Sequence, residues 1–226
     1  MWALGELDHW SGMKAVSEVA QRPRLGPVPS TAELGRRVTS VNQGLLRSAF
    51  TGQANAILVR PDLRVVEHRH IVLNPRRFRD AQARLLGLGL IARLAWANER
   101  RVCQAVRVAG DEGTFVAGNL HATSYPPDRD VPDAELFRAA VFVDGFARPG
   151  EPVVLAGDFN ISVRFSRTLG ELTGPEWGFS GPTPTGIDHV LVRDLKAGAP
   201  VRWADVRRRR NSRLLSDHAP VEVEVE

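Results

Sequence analysis

The spacing of apolar and polar positions changes period several times along this chain, and the changes mark its elements. Residues 2–7 form a short strand-like piece, and residues 11–21 read as a helix with Met13, Val16 and the Val19/Ala20 pair at helical spacing. Residues 22–30 hold three prolines and a glycine and read as a loop. Residues 54–59 are an apolar run stopped by Pro61, and residues 63–66 follow a Pro-Asp turn, so together they predict a hairpin. Residues 79–94 are apolar enough for one helix, although Gly87 and Gly89 weaken it, each costing about 1 kcal/mol in a helix interior.

Beyond residue 100 the pattern sharpens. Residues 102–108 alternate, and residues 114–120 form a strand that ends at His121. A helix follows over residues 133–146, with Asp133 as N-cap and Gly150 beyond its end. Residues 152–156 are a wholly apolar strand, and residues 187–192 and 221–225 supply two more. Strands and helices alternate irregularly, which predicts mixed sheets in place of a strict βαβ repeat. There is no internal repeat and no linker, and 226 residues fit one domain spanning 1–226.

Composition narrows the picture. A hydrophobic share of 43% beside 25% charged residues is that of a globular protein. Cys103 is the single cysteine, which excludes an intramolecular disulfide and a cysteine-built zinc centre. The most apolar stretch, residues 85–96, falls short of the roughly 20 residues of a membrane span and is interrupted by Arg93. Glu6 and Asp8 stand where the apolar core of a secretion signal would begin, so the expectation is a cytoplasmic monomer. The net charge of +4 leans slightly towards a polyanionic partner such as nucleic acid, while the run Arg207 to Arg210 reads as a solvated face.

Four polar clusters stand at strand ends: Asn119-Leu120-His121, Gly157-Asp158-Phe159-Asn160, Gly186-Ile187-Asp188-His189 and Ser216-Asp217-His218-Ala219-Pro220. Each strand thereby delivers a carboxylate, an amide or an imidazole to one rim. A hard divalent cation takes oxygen ligands, and phosphate-ester hydrolysis needs an oriented water and a charge clamp on the phosphoryl oxygens. Taken singly, Asp-x-Asn is commonly a turn and an Asp-His pair is commonly structural. Their order and shared placement carry the argument.

This ordered set resembles the endonuclease/exonuclease/phosphatase superfamily, which includes deoxyribonuclease-I-like enzymes, over roughly residues 100 to 226. The resemblance implies an α+β fold, a four-layered α/β/β/α sandwich of two mixed sheets flanked by helices. It also implies Mg²⁺ or Mn²⁺ chemistry on phosphodiesters or phosphomonoesters. Carried over, Asp158 activates or orients water, Asn160 binds phosphate and His121 contacts the scissile group. Asp217 holds the metal, and His218 works beside Asp188, whose carboxylate fixes the imidazole tautomer. Glu99-Arg100-Arg101 places an arginine near the phosphate or makes a surface ion pair.

The N-terminal half departs from the family pattern of an Asn-bearing first strand followed by a strand with a Gln-Glu pair. Ala3-Leu4-Gly5-Glu6-Leu7-Asp8 resembles the second of these with Gly5 in place of Gln, which makes Glu6 the metal carboxylate. Gly52-Gln53-Ala54-Asn55-Ala56-Ile57-Leu58 resembles the next strand. The chain then reads as N-terminally shortened, and a catalytically impaired member that binds nucleic acid or a phospho-ligand is the competing reading. A second alignment takes Thr39-Ser40-Val41-Asn42 as the first strand but leaves Glu67 in a polar context that makes a poor Glu strand.

Overall fold

The computed structural model describes residues 6–21, 24–25, 28–29, 53–124, 128–181, 183, 186–210, 213–214 and 218–226. In chain order the elements are α1 (Leu7–Ser11), β1 (Lys14–Gln21), β2 (Arg24–Leu25), β3 (Val28–Pro29), β4 (Gln53–Val59), β5 (Arg64–Val72), α2 (Arg76–Leu85) and α3 (Leu90–Asn98). They continue with β6 (Val102–Gly110), β7 (Gly113–His121), α4 (Asp130–Phe146), β8 (Val153–Asp158), α5 (Arg167–Leu172) and β9 (Asp188–Arg193). The C-terminal part adds β10 (Val201–Arg202), a 3-10 turn (Asp205–Arg208), β11 (Arg209–Arg210), β12 (Arg213–Leu214) and β13 (Val221–Glu222).

The centre is a five-stranded mixed sheet in the order β5-β6-β7-β8-β9. Only β7 and β8 run parallel, with α4 as the crossover between them. A second, antiparallel sheet of β1 and β4 packs on one face of it, and Val16, Ile57 and Val59 meet Val106 and Val108 between the sheets. The other face is covered by α4 and α5, which bury Leu136, Ala140, Val143 and Leu169 against Val116, Leu155 and Leu191. Each large aliphatic buried there contributes about 1.5–3 kcal/mol. Helix and sheet approach closely at Gly118, where an added Cβ would stand 2.8 Å from Val143. Two sheets flanked by helices are the α+β sandwich that the sequence predicts.

The N-terminal half differs from expectation in three places, and a fourth expectation lies largely outside the described residues. Residues 14–21 are a strand, not part of a helix, and the helix that precedes them is only α1, ended by Gly12 in the left-handed region at φ 66°. The row of β1 that faces the other sheet reads Val16, Glu18, Ala20, so a carboxylate interrupts the apolar row and hides the two-residue period. The strand expected over residues 2–7 lies largely outside the described residues, and Leu7 itself opens α1. β4 and β5 are joined by the expected turn but do not form a hairpin, because β4 pairs with β1 and β5 with β6 in the facing sheet. The helix over residues 79–94 is two helices, broken at Gly87 (φ 65°).

The remaining difference is at α4, which begins at Asp130, one turn before Asp133. Asp133 accepts hydrogen bonds from Thr168 N–H and the Ser166 hydroxyl, and so ties α4 to α5. It does not cap its own helix.

Candidate functional site

The strand register assembles the site. His121 pairs with Asp158 across β7 and β8, and Asp158 pairs with Asp188 across β8 and β9. Cross-strand partners point to the same face, so one row at the sheet rim presents an imidazole and two carboxylates. His218, just before β13, closes the row from the side: its Nδ1 lies 3.0 Å from both carboxylate oxygens of Asp188. Because Asp188 is the acceptor, Nδ1 carries the proton and Nε2 is left facing Asp158 Oδ2 at 3.9 Å. His121 Nε2 lies 3.4 Å from the same oxygen. A cleft of about 340 Å³ opens beside Asp158, Asp188 and His218.

The Gly-Asp-Phe-Asn segment has a steric explanation at each position. Gly157 sits at φ 144°, and an added Cβ would stand 1.9 Å from Leu120 O, so only glycine allows β8 to lie this close to β7. Phe159 is fully buried, with its ring 5.2 Å from that of His189. Asn160 occupies the left-handed region at φ 51°, where its N–H donates to Asp158 Oδ1 at 3.0 Å. Its Nδ2 donates to Ala122 O at 2.9 Å. His189 points to the opposite face from its neighbour Asp188, and its Nε2 holds Ile161 O at 2.9 Å, so it supports the loop from behind.

Electrostatics mark the same row. Burial pushes the Asp158 carboxyl up to about 6, the Asp188 charge adds to the rise, and the Asn160 N–H, His218 and Arg101 oppose it. Burial, Arg101 and His218 together push His121 down to about 3, so its imidazole is neutral at physiological pH. Asp158, Asp188 and His218 offer ligand atoms that all lie within 4.8 Å of one another, and among the described residues they are the one such group. Two carboxylates converging in a half-buried cleft suit a hard divalent cation, which would relieve the repulsion that raises Asp158.

Three further residues lie behind or across from this row. Arg101 is nearly fully buried, ion-paired with Glu99, and its Nε and Nη1 have no hydrogen-bond partner among the described residues. Its charge reaches both His121 and Asp158, so of the Glu99-Arg100-Arg101 run it is Arg101 whose charge is felt at this row. Glu135 on α4 is fully buried and accepts from Thr123 N–H (2.6 Å), the Thr123 hydroxyl (2.8 Å) and Trp96 Nε1 (2.6 Å). Burial pushes its carboxyl up, against those three hydrogen bonds. The third is Glu18. Its strand partner Asn55 donates through Nδ2 to Val102 O at 3.0 Å. Val102 lies one position beyond the Cys103–Leu120 pair, level with His121. Glu18 shares the face of Asn55 and contacts His70 Nε2 at 3.3 Å, so β1 carries a carboxylate towards this rim.

The structure thus brings together His121, Asp158, Asp188 and His218, with Asn160 directly behind them. It does not bring Glu6 to them. Glu6 precedes α1, which is fastened to the start of β1 by the bond from Ala15 N–H to Asp8 Oδ1 (2.5 Å), at the end of the strand away from Glu18. Asp217 lies outside the described residues, as do Thr39 to Asn42 of the second alignment. Sequence reasoning missed Glu18, Glu135 and the burial of Arg101. A weak signal for the first was present: Glu18 stands in Val16-Ser17-Glu18-Val19, where two β-branched valines favour a strand.

Known proteins place this geometry. The model of the Endonuclease/Exonuclease/phosphatase family matches residues 3–218. No curated protein matches the chain in sequence. Among solved structures, a functionally unknown conserved protein from Enterococcus faecalis V583 superposes with a TM-score of 0.63 at 14% identity, covering 99% of this chain and 80% of that one. The mannosyl-6-phosphatase Bt3783 of Bacteroides thetaiotaomicron gives 0.53 at 17% identity, with coverage of 77% and 72%. The human Nocturnin catalytic domain, solved with a bound sulfate anion, gives 0.57 at 10% identity, with coverage of 96% and 75%. At these identities the likeness is one of fold, and the family match is what assigns the chain. It belongs to the endonuclease/exonuclease/phosphatase family, whose named activities all cleave phosphate esters.

Proposed function

We propose that this protein is a metal-dependent phosphoesterase that hydrolyses phosphodiesters or phosphomonoesters at the Asp158–Asp188–His218 rim. The observation that carries the reading is the convergence of these three ligand-bearing side chains beside His121 at the open end of the sheet. Mg²⁺ or Mn²⁺ would be held by carboxylates from this group, by Asp217 next to His218, and by Glu18 in the place expected of Glu6. The ion supplies charge neutralisation on the phosphoryl oxygens.

The chain's own residues account for the rest. Asp158, held by the Asn160 N–H, orients the attacking water at the phosphorus. His218, fixed by Asp188, keeps its unprotonated Nε2 towards the same point and takes up the attacking water's proton there. Neutral His121 donates its ring N–H to a phosphoryl oxygen without adding charge. Arg101 contributes a positive potential at the site, which favours an anionic substrate. Asn160 acts first as a brace, because its amide is bonded to Ala122 O, and its carbonyl end faces away from that bond.

The test is hydrolysis of bis-p-nitrophenyl phosphate and of plasmid DNA with Mg²⁺ or Mn²⁺, against EDTA and Asp158→Ala controls. Metal-dependent turnover lost in the variant supports the reading. Absent turnover with retained binding of inorganic phosphate would instead favour a phospho-ligand binding protein.

A further inference from the structure

Helices α2 and α3 form a hairpin inserted between the paired ends of β5 and β6, Val72 and Val102, at the same rim as the site. Its inner surface is accounted for: Ala83, Leu88, Ala92 and Trp96 are buried against Val131. Its outer surface is not. Leu85 and Leu90 flank the Gly87 turn at 77% and 72% exposure, and Ile91 and Leu94 follow on α3 at 77% and 61%. Four large aliphatic side chains this exposed within ten residues form a concentrated apolar patch, where isolated exposed leucines would need no explanation.

The charge of the hairpin is predominantly positive. Residues 75–98 contain Arg76, Arg77, Arg79, Arg84 and Arg93 against the single acid Asp80. Arg76, Arg79 and Arg93 also border a cleft of about 190 Å³ between the two helices, beside Trp96, with Asp80 as its one acid, 3.6 Å from Arg76 Nε. A second copy of this chain would bring arginines against arginines across a two-fold contact. An anionic surface with an apolar interior satisfies both features, since phosphate headgroups meet the guanidiniums while acyl chains receive the leucines. Among the described residues no helix is long and apolar enough to cross a membrane, so the contact is with an interface.

We propose that the α2–α3 hairpin docks this protein on an anionic phospholipid membrane surface through Leu85, Leu90, Ile91 and Leu94, with the exposed Arg76, Arg77, Arg84 and Arg93 on the headgroup phosphates. The hairpin grows from the sheet rim, so docking holds the catalytic end near the membrane plane. The inference stands on exposure and charge and is independent of the hydrolytic reading.

The experiment is flotation of the full chain with vesicles of phosphatidylcholine alone and with about 30 mol% phosphatidylglycerol, at about 0.1 M NaCl. Partition into the anionic vesicles is expected, at least about tenfold above the neutral ones. It should fall about tenfold or more in Leu90→Ser/Ile91→Ser/Leu94→Ser and in Arg76→Gln/Arg93→Gln, with circular dichroism and urea midpoint near those of the parent. No partition of the parent, or equal partition of the apolar variant, would overturn the proposal. So would a dimer in analytical ultracentrifugation that the apolar variant abolishes, because the face would then belong to a second copy. Turnover of bis-p-nitrophenyl phosphate in solution should be unchanged in both variants, which separates a failure of docking from a failure of the site.

Discussion

The carboxylate of Glu135 sits beneath Thr123 and accepts both its backbone N–H and its hydroxyl, so a buried acid on α4 holds the chain two residues beyond His121. Ala122, between them, donates its N–H to Asp158 O and accepts Asn160 Nδ2. One helix residue therefore fixes the segment from which both the imidazole and the Gly-Asp-Phe-Asn turn take their positions. Glu135→Ala would leave three buried donors without an acceptor, each costing about 1–3 kcal/mol. Unfolding in urea should show a loss of several kcal/mol. Glu135→Gln, which keeps an acceptor oxygen, should lose less and lower kcat more than it raises KM.

Gly157 gives a sharper prediction. Gly157→Ala must move Leu120 O away from a Cβ that would stand 1.9 Å from it and hold alanine at φ 144°. The β7–β8 pair cannot yield without displacing Asp158 from His121, so the expected outcome is failure to fold or a destabilisation above about 3 kcal/mol. Gly145→Ala, in open space on α4, is the control and should match or exceed the parent's stability.

How much of this was legible beforehand depends on which physical signal each residue gives. Asp158 ends the apolar strand β8 and Asp188 opens the apolar strand β9, so their strand-end placement can be read from hydropathy, while His218 is marked by its Ser-Asp-His-Ala-Pro segment just before β13. Glu18 cannot be read that way. It lies within the inward-facing row of β1, where a carboxylate destroys the alternation that would announce the strand, and the alternative acid Glu6 stood in a run that looked more regular. The β4–β5 connection shows a second limit: turn chemistry predicts the reversal at Pro61-Asp62, but which sheet each strand joins is decided by long-range pairing. For Glu99-Arg100-Arg101 the sequence left open an arginine near the phosphate or a surface ion pair, and only the tertiary structure shows that Arg101 is buried and paired with Glu99.

Asp158 links function to stability through pH. Burial raises its folded-state value to about 6 from an ordinary 3.8. A raised value stabilises the fold fully below about 3.8 and loses that contribution as pH rises through about 6, a change of about 3 kcal/mol for the metal-free protein. In EDTA, Asp158→Asn should therefore melt higher than the parent at pH 8 and approach it at pH 4, while losing hydrolysis by about a thousandfold or more. Thermal scans at the two pH values check it. A variant less stable than the parent at pH 8 would count against the strained carboxylate.

At the far end of the sheet the sign reverses. Burial pushes Glu151 up, but Arg107, the Arg148 N–H and the Thr114 hydroxyl outweigh it and hold the carboxyl at about 2. Arg107 Nε binds Glu151 at 2.8 Å, while its other nitrogens reach Glu67 and Phe146 O. A lowered value contributes stability above about 4.5 that is lost as pH falls through about 2. Glu151→Gln should lower the urea midpoint at pH 7 by the equivalent of about 3 kcal/mol and flatten the acid limb between those values. Arg107→Met tests the other partner, and should cost at least as much by stranding two carboxylates.

The assignment of the first-sheet carboxylate rests on a contrast between two glutamates. Glu18 faces the five-stranded sheet beside Asn55, level with His121, whereas Glu6 lies ahead of α1 at the other end of β1. A cation bound to the folded protein raises its melting temperature, by about 2.7 kcal/mol of stability at a hundred times its Kd. Mn²⁺ should accordingly raise the melting temperature of the parent and of Glu6→Gln alike, and raise that of Glu18→Gln much less. Activity should follow the same order. If Glu6→Gln loses the Mn²⁺ response and Glu18→Gln keeps it, the strand that serves the metal is the one containing Glu6, and the packing of β1 described above does not represent the working site.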